Sequence, residues 1–122
     1  MATTQSVQKR TFESADETRQ AGSGQGEIVK LGQTTFMRVT LPPGWKWSTD
    51  VKPIAKTDTC QATHTGYVVS GRMHVVMEDG TEEEFGPGDL TLIPPGHDAW
   101  VVGDEPFVSV DITGSPQWAK GQ

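Results

Sequence analysis

The chain has 122 residues, which suits one domain with a real core, and its 14 Gly and 8 Pro weigh against a helical bundle. A formal charge of −6, with basic residues scattered, excludes a phosphate-backbone partner such as nucleic acid. No apolar run is long enough to cross a membrane, and one cysteine excludes an internal disulfide; with a polar start unlike a secretory leader, these features predict a soluble protein of the reducing cytoplasm.

Residues 1–26 are polar and close on Ala21-Gly-Ser-Gly-Gln-Gly, which predicts an N-terminal arm with a flexible joint. Ser14-Ala-Asp-Glu17 has the form of a capping box, but no apolar helical run follows it. Residues 27–31 and 35–41 read as strands around a Gly32-Gln33 turn, the second with Met37, Val39 and Leu41 on one face. Pro42-Pro43-Gly44 ends that strand. Trp45 and Trp47 then fall on one side of an extended backbone, and residues 50–57 read as a loop around Pro53.

A strand over 59–63 leads toward Gly66 and continues through 67–69 to a turn at Ser70-Gly71. In 72–78, Met73, Val75 and Met77 form the core face, while Arg72, His74 and Glu78 face solvent. Asp79-Gly80 predicts a two-residue type I′ hairpin returning through 81–85, where Glu82, Glu83 and Glu84 read as a solvated edge. Residues 90–93 are a short strand ended by Pro94-Pro95-Gly96, residues 100–102 another, and residues 107–112 close a barrel spanning 27–114. Residues 115–122 read as a loose tail.

Three pieces stand out together: Tyr67-Val-Val-Ser-Gly-Arg-Met, Glu78-Asp-Gly-Thr-Glu, and Gly86-Pro-Gly-Asp-Leu-Thr-Leu-Ile-Pro-Pro-Gly. With them, residues 60–102 resemble the cupin superfamily, whose second motif is matched by Gly88, Pro94 and Gly96. Loosely, the resemblance extends over 27–112. More narrowly the chain is similar to small single-domain cupins carrying Gly-Trp-x-Trp-Ser, Cys-x-x-x-His-x-Gly-Tyr-Val and Pro-Pro-Gly-His-Asp-Ala-Trp. The resemblance implies an all-β double-stranded β-helix, a jelly-roll barrel. It also implies a metal held by two His and a Glu from the first motif and a His from the second. Aligned in this way, Asp58 and Cys60 stand at the two His positions, His64 at the Glu position and Ala99 at the third His. The usual ligand set is therefore not present as such.

Asp58, Cys60 and His64 differ by even numbers, so an extended strand turns them to one face. Thiolate with imidazole suits Zn, Fe, Ni or Cu. His97 lies two residues before Ala99 and keeps its side, so Cys60, His64 and His97 form a possible three-ligand site with an open position. In the alternative, a metal-free barrel, Cys60 simply packs and His64 is satisfied by a hydrogen bond. A catalytic Cys–His dyad ranks third.

Asp58 is expected beside the ligands rather than among them. Asp111, if inward, would orient a ring nitrogen. Trp45, Trp47 and Trp100 either line a mouth for a small apolar or aromatic ligand or serve as core and dimer contacts. Tyr67 is a possible donor into the cavity, and Asp98 is expected to cap a turn. Two functions stay open: a metal-binding cupin acting on a small organic molecule, by oxygenase, isomerase or hydrolase chemistry, and a non-enzymatic, metal-free small-ligand barrel. No organic cofactor is expected, and the arm makes a homodimer the expected assembly.

Overall fold

Alternation of apolar and polar residues sets the inward face of most strands in the computed structural model, which describes residues 6–112. A 3-10 turn at Phe12–Ser14 precedes β1 (Glu17–Ala21), β2 (Gly24–Leu31) and β3 (Thr34–Leu41). Two one-turn helices, α1 (Trp47–Asp50) and α2 (Lys52–Ala55), lead to β4 (His64–Ser70) and β5 (Arg72–Met77). The chain finishes with β6 (Glu82–Phe85), β7 (Leu90–Ile93), β8 (His97–Val102) and β9 (Phe107–Ile112).

The strands build a larger sheet in the order β1-β2-β3-β9-β4-β7 and a smaller one in the order β6-β5-β8, with antiparallel pairing throughout. This is the jelly-roll form of a double-stranded β-helix. Met37, Val39 and Leu41 of β3, Val68 of β4, Met73 and Val75 of β5, and Phe107 of β9 turn inward and are buried. Gly71 carries the chain from β4 in one sheet to β5 in the other. Trp45 and Trp47 are buried in the same core, and the Trp45 indole N–H donates to the Ala21 carbonyl at 2.8 Å.

The structure departs from the sequence reading in several places. Residues 17–26, assigned above to an arm and joint, are β1 and the start of β2. Register pairing of Arg19 with Gly26 and Ala21 with Gly24 supplies backbone partners that composition does not reveal. Upstream, Arg10 bonds Asp16 and the Lys30 carbonyl, and the Arg38 guanidinium lies 5.1 Å from the Phe12 ring. Much of residues 50–57 is helical rather than loop. Residues 59–63 form no strand; Cys60 alone makes a bridge, to His97.

The Asp79-Gly80 hairpin is not type I′, because Gly80 has positive φ and Asp79 does not. Its loop is longer, closed by the Gly80 amide donating to the Met77 carbonyl at 2.9 Å. β9 does not sit at a closing seam but lies between β3 and β4 in the larger sheet. The tail assigned to 115–122 lies outside the described residues.

Candidate metal centre

Three elements converge on one point between the sheets. His64 opens β4 of the larger sheet and His97 opens β8 of the smaller one. Cys60 is fixed opposite His97 by backbone bonds: its amide donates to the His97 carbonyl at 2.8 Å, and its carbonyl accepts from the Gly96 amide at 2.7 Å. The Pro94-Pro95-Gly96 turn therefore does more than end β7; it delivers both the bridge and His97. Cys60, His64 and His97 are all buried, and one donor atom from each lies within 4.8 Å of the others. The two imidazoles meet edge to face with centroids 5.3 Å apart.

Hydrogen bonds set which ring nitrogens face the centre. His64 Nδ1–H donates to Asp111 Oδ2 at 2.8 Å, and His64 Nε2 stands 3.8 Å from Cys60 Sγ. His97 Nδ1–H donates to the Pro94 carbonyl at 2.7 Å, which leaves Nε2 as the ring nitrogen for the centre. Each imidazole is thus anchored by an oxygen acceptor on one nitrogen and available for ligation on the other, the arrangement that orients ligating histidines.

The electrostatics favour a charged pair. Burial pushes the Cys60 thiol up, but hydrogen bonds from His64 and His97 outweigh it and hold the thiol down at about 6. Burial pushes the His64 imidazolium down, but the Asp111 carboxylate and the Cys60 sulfur outweigh it and raise it to about 9. Both shifts run the same way, toward a thiolate beside an imidazolium in the metal-free centre. The thiolate is also the form a metal requires.

A cavity of about 40 Å³ adjoins the centre, with His64, His97 and Asp111 in its wall. Leu41, Trp47, Met73 and Phe107 supply apolar walls, and Thr91 and Ser109 the remaining polar ones. That volume accommodates roughly two or three water-sized groups. The residues singled out from sequence divide clearly. Asp111, Trp45 and Trp47 reach the cavity wall with the histidines.

Three others do not reach it, and their expected roles are corrected. The Asp58 side chain is fully exposed and lies 3.7 Å from Lys52, because no strand extends back from β4 to turn it inward. Tyr67 sits at an outward position of β4. Trp100 is outward on β8, where its ring stacks on His74 at 5.0 Å. His74 itself is outside the barrel, hydrogen-bonded to Glu82. Asp98 accepts from the Ser48 amide at 3.1 Å and so steadies the start of α1.

Two cavity residues escaped the sequence reading. Thr91 shares the inward parity of Ile93, and Ser109 that of Asp111 and Phe107; polar residues at inward positions of otherwise apolar strands were the available signal. Gly66 was also read only as part of a motif. It pairs with Asp111 in register, and a Cβ there would lie 2.8 Å from Asp111 Oδ1. Its bare backbone is what lets the carboxylate cross to His64.

Residues 37–113 match the family model described as a cupin domain. A protein of unknown function from Rhizobium leguminosarum bv. viciae 3841 has a similar structure, with a TM-score of 0.62 at 23% identity over 88% of this chain and 96% of that one. A Cupin 2 conserved barrel domain protein from Salinispora arenicola CNS-205 gives 0.61 at 15% identity, over 88% of each chain. An uncharacterized conserved protein with a double-stranded β-helix domain from Klebsiella pneumoniae gives 0.57 at 19%, over 88% of this chain and 89% of that one. Identities this low speak to the fold. No curated protein matches the chain significantly.

Proposed function

The chain belongs to the cupin family, and we propose that it is a metal-binding member in which Cys60, His64 and His97 hold one divalent transition ion beside a small cavity. The observation that carries this reading is the orientation of the two rings. Both Nδ1 atoms are tied to oxygen acceptors, Asp111 and the Pro94 carbonyl, around the buried Cys60 sulfur. A sulfur and two imidazoles suit Zn, Cu, Ni or Fe and disfavour Mg or Ca, which prefer oxygen. Three protein ligands leave a position open, as a catalytic site needs.

When bound, such an ion supplies a Lewis acid at the cavity floor. The protein's own part is distinct. Asp111 holds the His64 ring and favours its basic Nε2. The Pro94 carbonyl does the same for His97. Leu41, Trp47, Met73 and Phe107 limit water, while Thr91 and Ser109 offer hydroxyls to a polar substrate group. The cavity restricts the substrate, or the part of it that enters, to a few heavy atoms.

The test is metal analysis of purified protein loaded separately with Zn(II), Cu(II), Ni(II) and Fe(II), beside Cys60→Ser and His64→Ala. Near-stoichiometric metal in wild type and strong loss in both variants supports the reading. Equal, sub-stoichiometric metal in all three sinks it. One observation favours a second reading: the run Cys60 Sγ, His64 Nε2, His64 Nδ1, Asp111 also forms a thiol–imidazole–carboxylate chain. Turnover of a small electrophile that survives chelation would select it.

A further inference from the structure

Two polar side chains in the cavity wall stay unused by the centre. Thr91 on β7 and Ser109 on β9 are 6% and 5% exposed, and neither hydroxyl has a hydrogen-bond partner among the described residues. No fully enclosed side-chain nitrogen or oxygen of the described residues lacks a partner, so both hydroxyls open onto the cavity. Buried hydroxyls are ordinarily paired, and two left open on one cavity mark a wall that faces a ligand. Sheet register sets them beside the centre. Thr91 and Asp111 flank Gly66 in one row of the larger sheet, and Ser109 stands two residues before Asp111 on β9. The charge of the wall then selects what they hold. No lysine or arginine lines the cavity. A charged His64 ring is matched by the Asp111 carboxylate bonded to it. A divalent ion at the centre is matched by Asp111 and the Cys60 thiolate. Loaded or empty, the site has no surplus positive charge, so an anion would lose its hydration there without a counter-charge.

We propose that the cavity takes a small neutral oxygen compound, a short amide, aldehyde, ketone or alcohol, and that Thr91 and Ser109 bind its polar end and set the preference for it over a carboxylate. Each hydroxyl both donates and accepts, so carbonyl and alcohol oxygens are served alike. The cavity of about 40 Å³ limits the ligand to a few non-hydrogen atoms, and Leu41, Trp47, Met73 and Phe107 suit a short carbon skeleton. That the ligand's oxygen lies next to an ion rests on the metal-binding reading; the two hydroxyl contacts do not.

Acetamide and acetate share shape and size, and only the second is charged. Titration of the full chain with each, followed by NMR at the Met73 methyl and the Trp47 indole, tests the proposal on chelator-treated and on zinc-loaded protein. Acetamide is expected to bind saturably, with a dissociation constant of about 10 mM or below. Acetate should bind at least about tenfold more weakly, for want of a counter-charge. Thr91→Val keeps the side-chain shape and Ser109→Ala removes only the oxygen. Each should weaken acetamide about threefold, and the pair about tenfold. Xenon, which needs no hydrogen bond, should bind the variants as well as the wild type, and so shows that the cavity is intact. Acetate binding as tightly as acetamide in either form, acetamide binding indifferent to both substitutions, or a wild-type cavity that holds water only would each overturn the proposal. A chain that takes up none of the four tested ions yet binds acetamide through the hydroxyls ends the metal reading alone. Full metal uptake with acetamide indifferent to the substitutions ends this proposal alone.

Discussion

Asp111 and His64 meet across Gly66. Asp111 and Gly66 are register partners on β9 and β4, His64 lies two residues before Gly66 at the start of β4, and the carboxylate spans that offset to reach Nδ1 at 2.8 Å. Gly66→Ala would place a methyl against Asp111 Oδ1 and the Val110 carbonyl. Backbone cannot yield as a flexible side chain does, so the expected cost is about 1–3 kcal/mol, read by urea unfolding. The same variant should lose metal, because the shifted carboxylate no longer fixes the ring. Unchanged unfolding would show that the strands have room that the contact distances deny.

Asp111→Asn keeps the shape and removes the charge. Metal affinity should fall roughly 10- to 100-fold, measured by chelator competition. In the metal-free variant the His64 ring should titrate at lower pH than in wild type, since the Asp111 carboxylate is the largest influence raising it. NMR titration of the imidazole reads that shift directly.

Cys60 should react as a thiolate well below the range of an ordinary thiol. In chelator-treated protein, alkylation should rise through an inflection near pH 6 and then level off, because the His64 and His97 rings stabilise the anion. Burial keeps the plateau rate below that of a free thiol. Metal should protect the sulfur. An inflection near pH 9 would mean that the rings do not hold it.

Asp50 gives a pH dependence away from the centre. Its carboxylate accepts from the Ser23 and Lys46 amides and the Ser23 hydroxyl, each at 3.0 Å, tying α1 to the β1–β2 turn. Burial alone would raise its pKa, but these donors outweigh it and hold it below the ordinary 3.8. A depressed carboxyl stabilises fully above the unfolded value and loses that contribution as pH falls through the folded one. Asp50→Asn should therefore cost about 1–2 kcal/mol at neutral pH, and its gap from wild type should narrow below pH 4. Unfolding curves at the two pH values decide it.

Asp58→Ala should leave metal stoichiometry and affinity unchanged, because its side chain points to solvent beside Lys52. A drop comparable to that of His64→Ala would return Asp58 to the ligand set.

What the sequence made legible follows from what alternation encodes. The inward faces of β3 and β5 and the bounds of β7 rest on parity and on turns made by Gly and Pro, whereas Cys60 meets His64 and His97 through its bridge after the Pro94-Pro95-Gly96 turn. Parity fails where the backbone is not extended. Asp58 and Cys60 were placed on one face by assuming a strand over 59–63, and only the Cys60 bridge exists there. The His64–Asp111 bond joins residues 47 apart and depends on sheet register, which no local pattern specifies. β1 was missed for a similar reason: its polar sequence, run into a Gly-rich turn, is held by pairing with β2 rather than by its own propensity.

His64 and His97 belong to different sheets, and Cys60 is bolted to the second of them through its backbone. Anything that grips all three donors rivets one layer of the sandwich to the other. Its release would free the layers to breathe, so loading should register as a higher melting temperature and as slower amide exchange on both sides of the Gly71 corner. A thermal-shift trace then reads occupancy of the centre before any substrate is known.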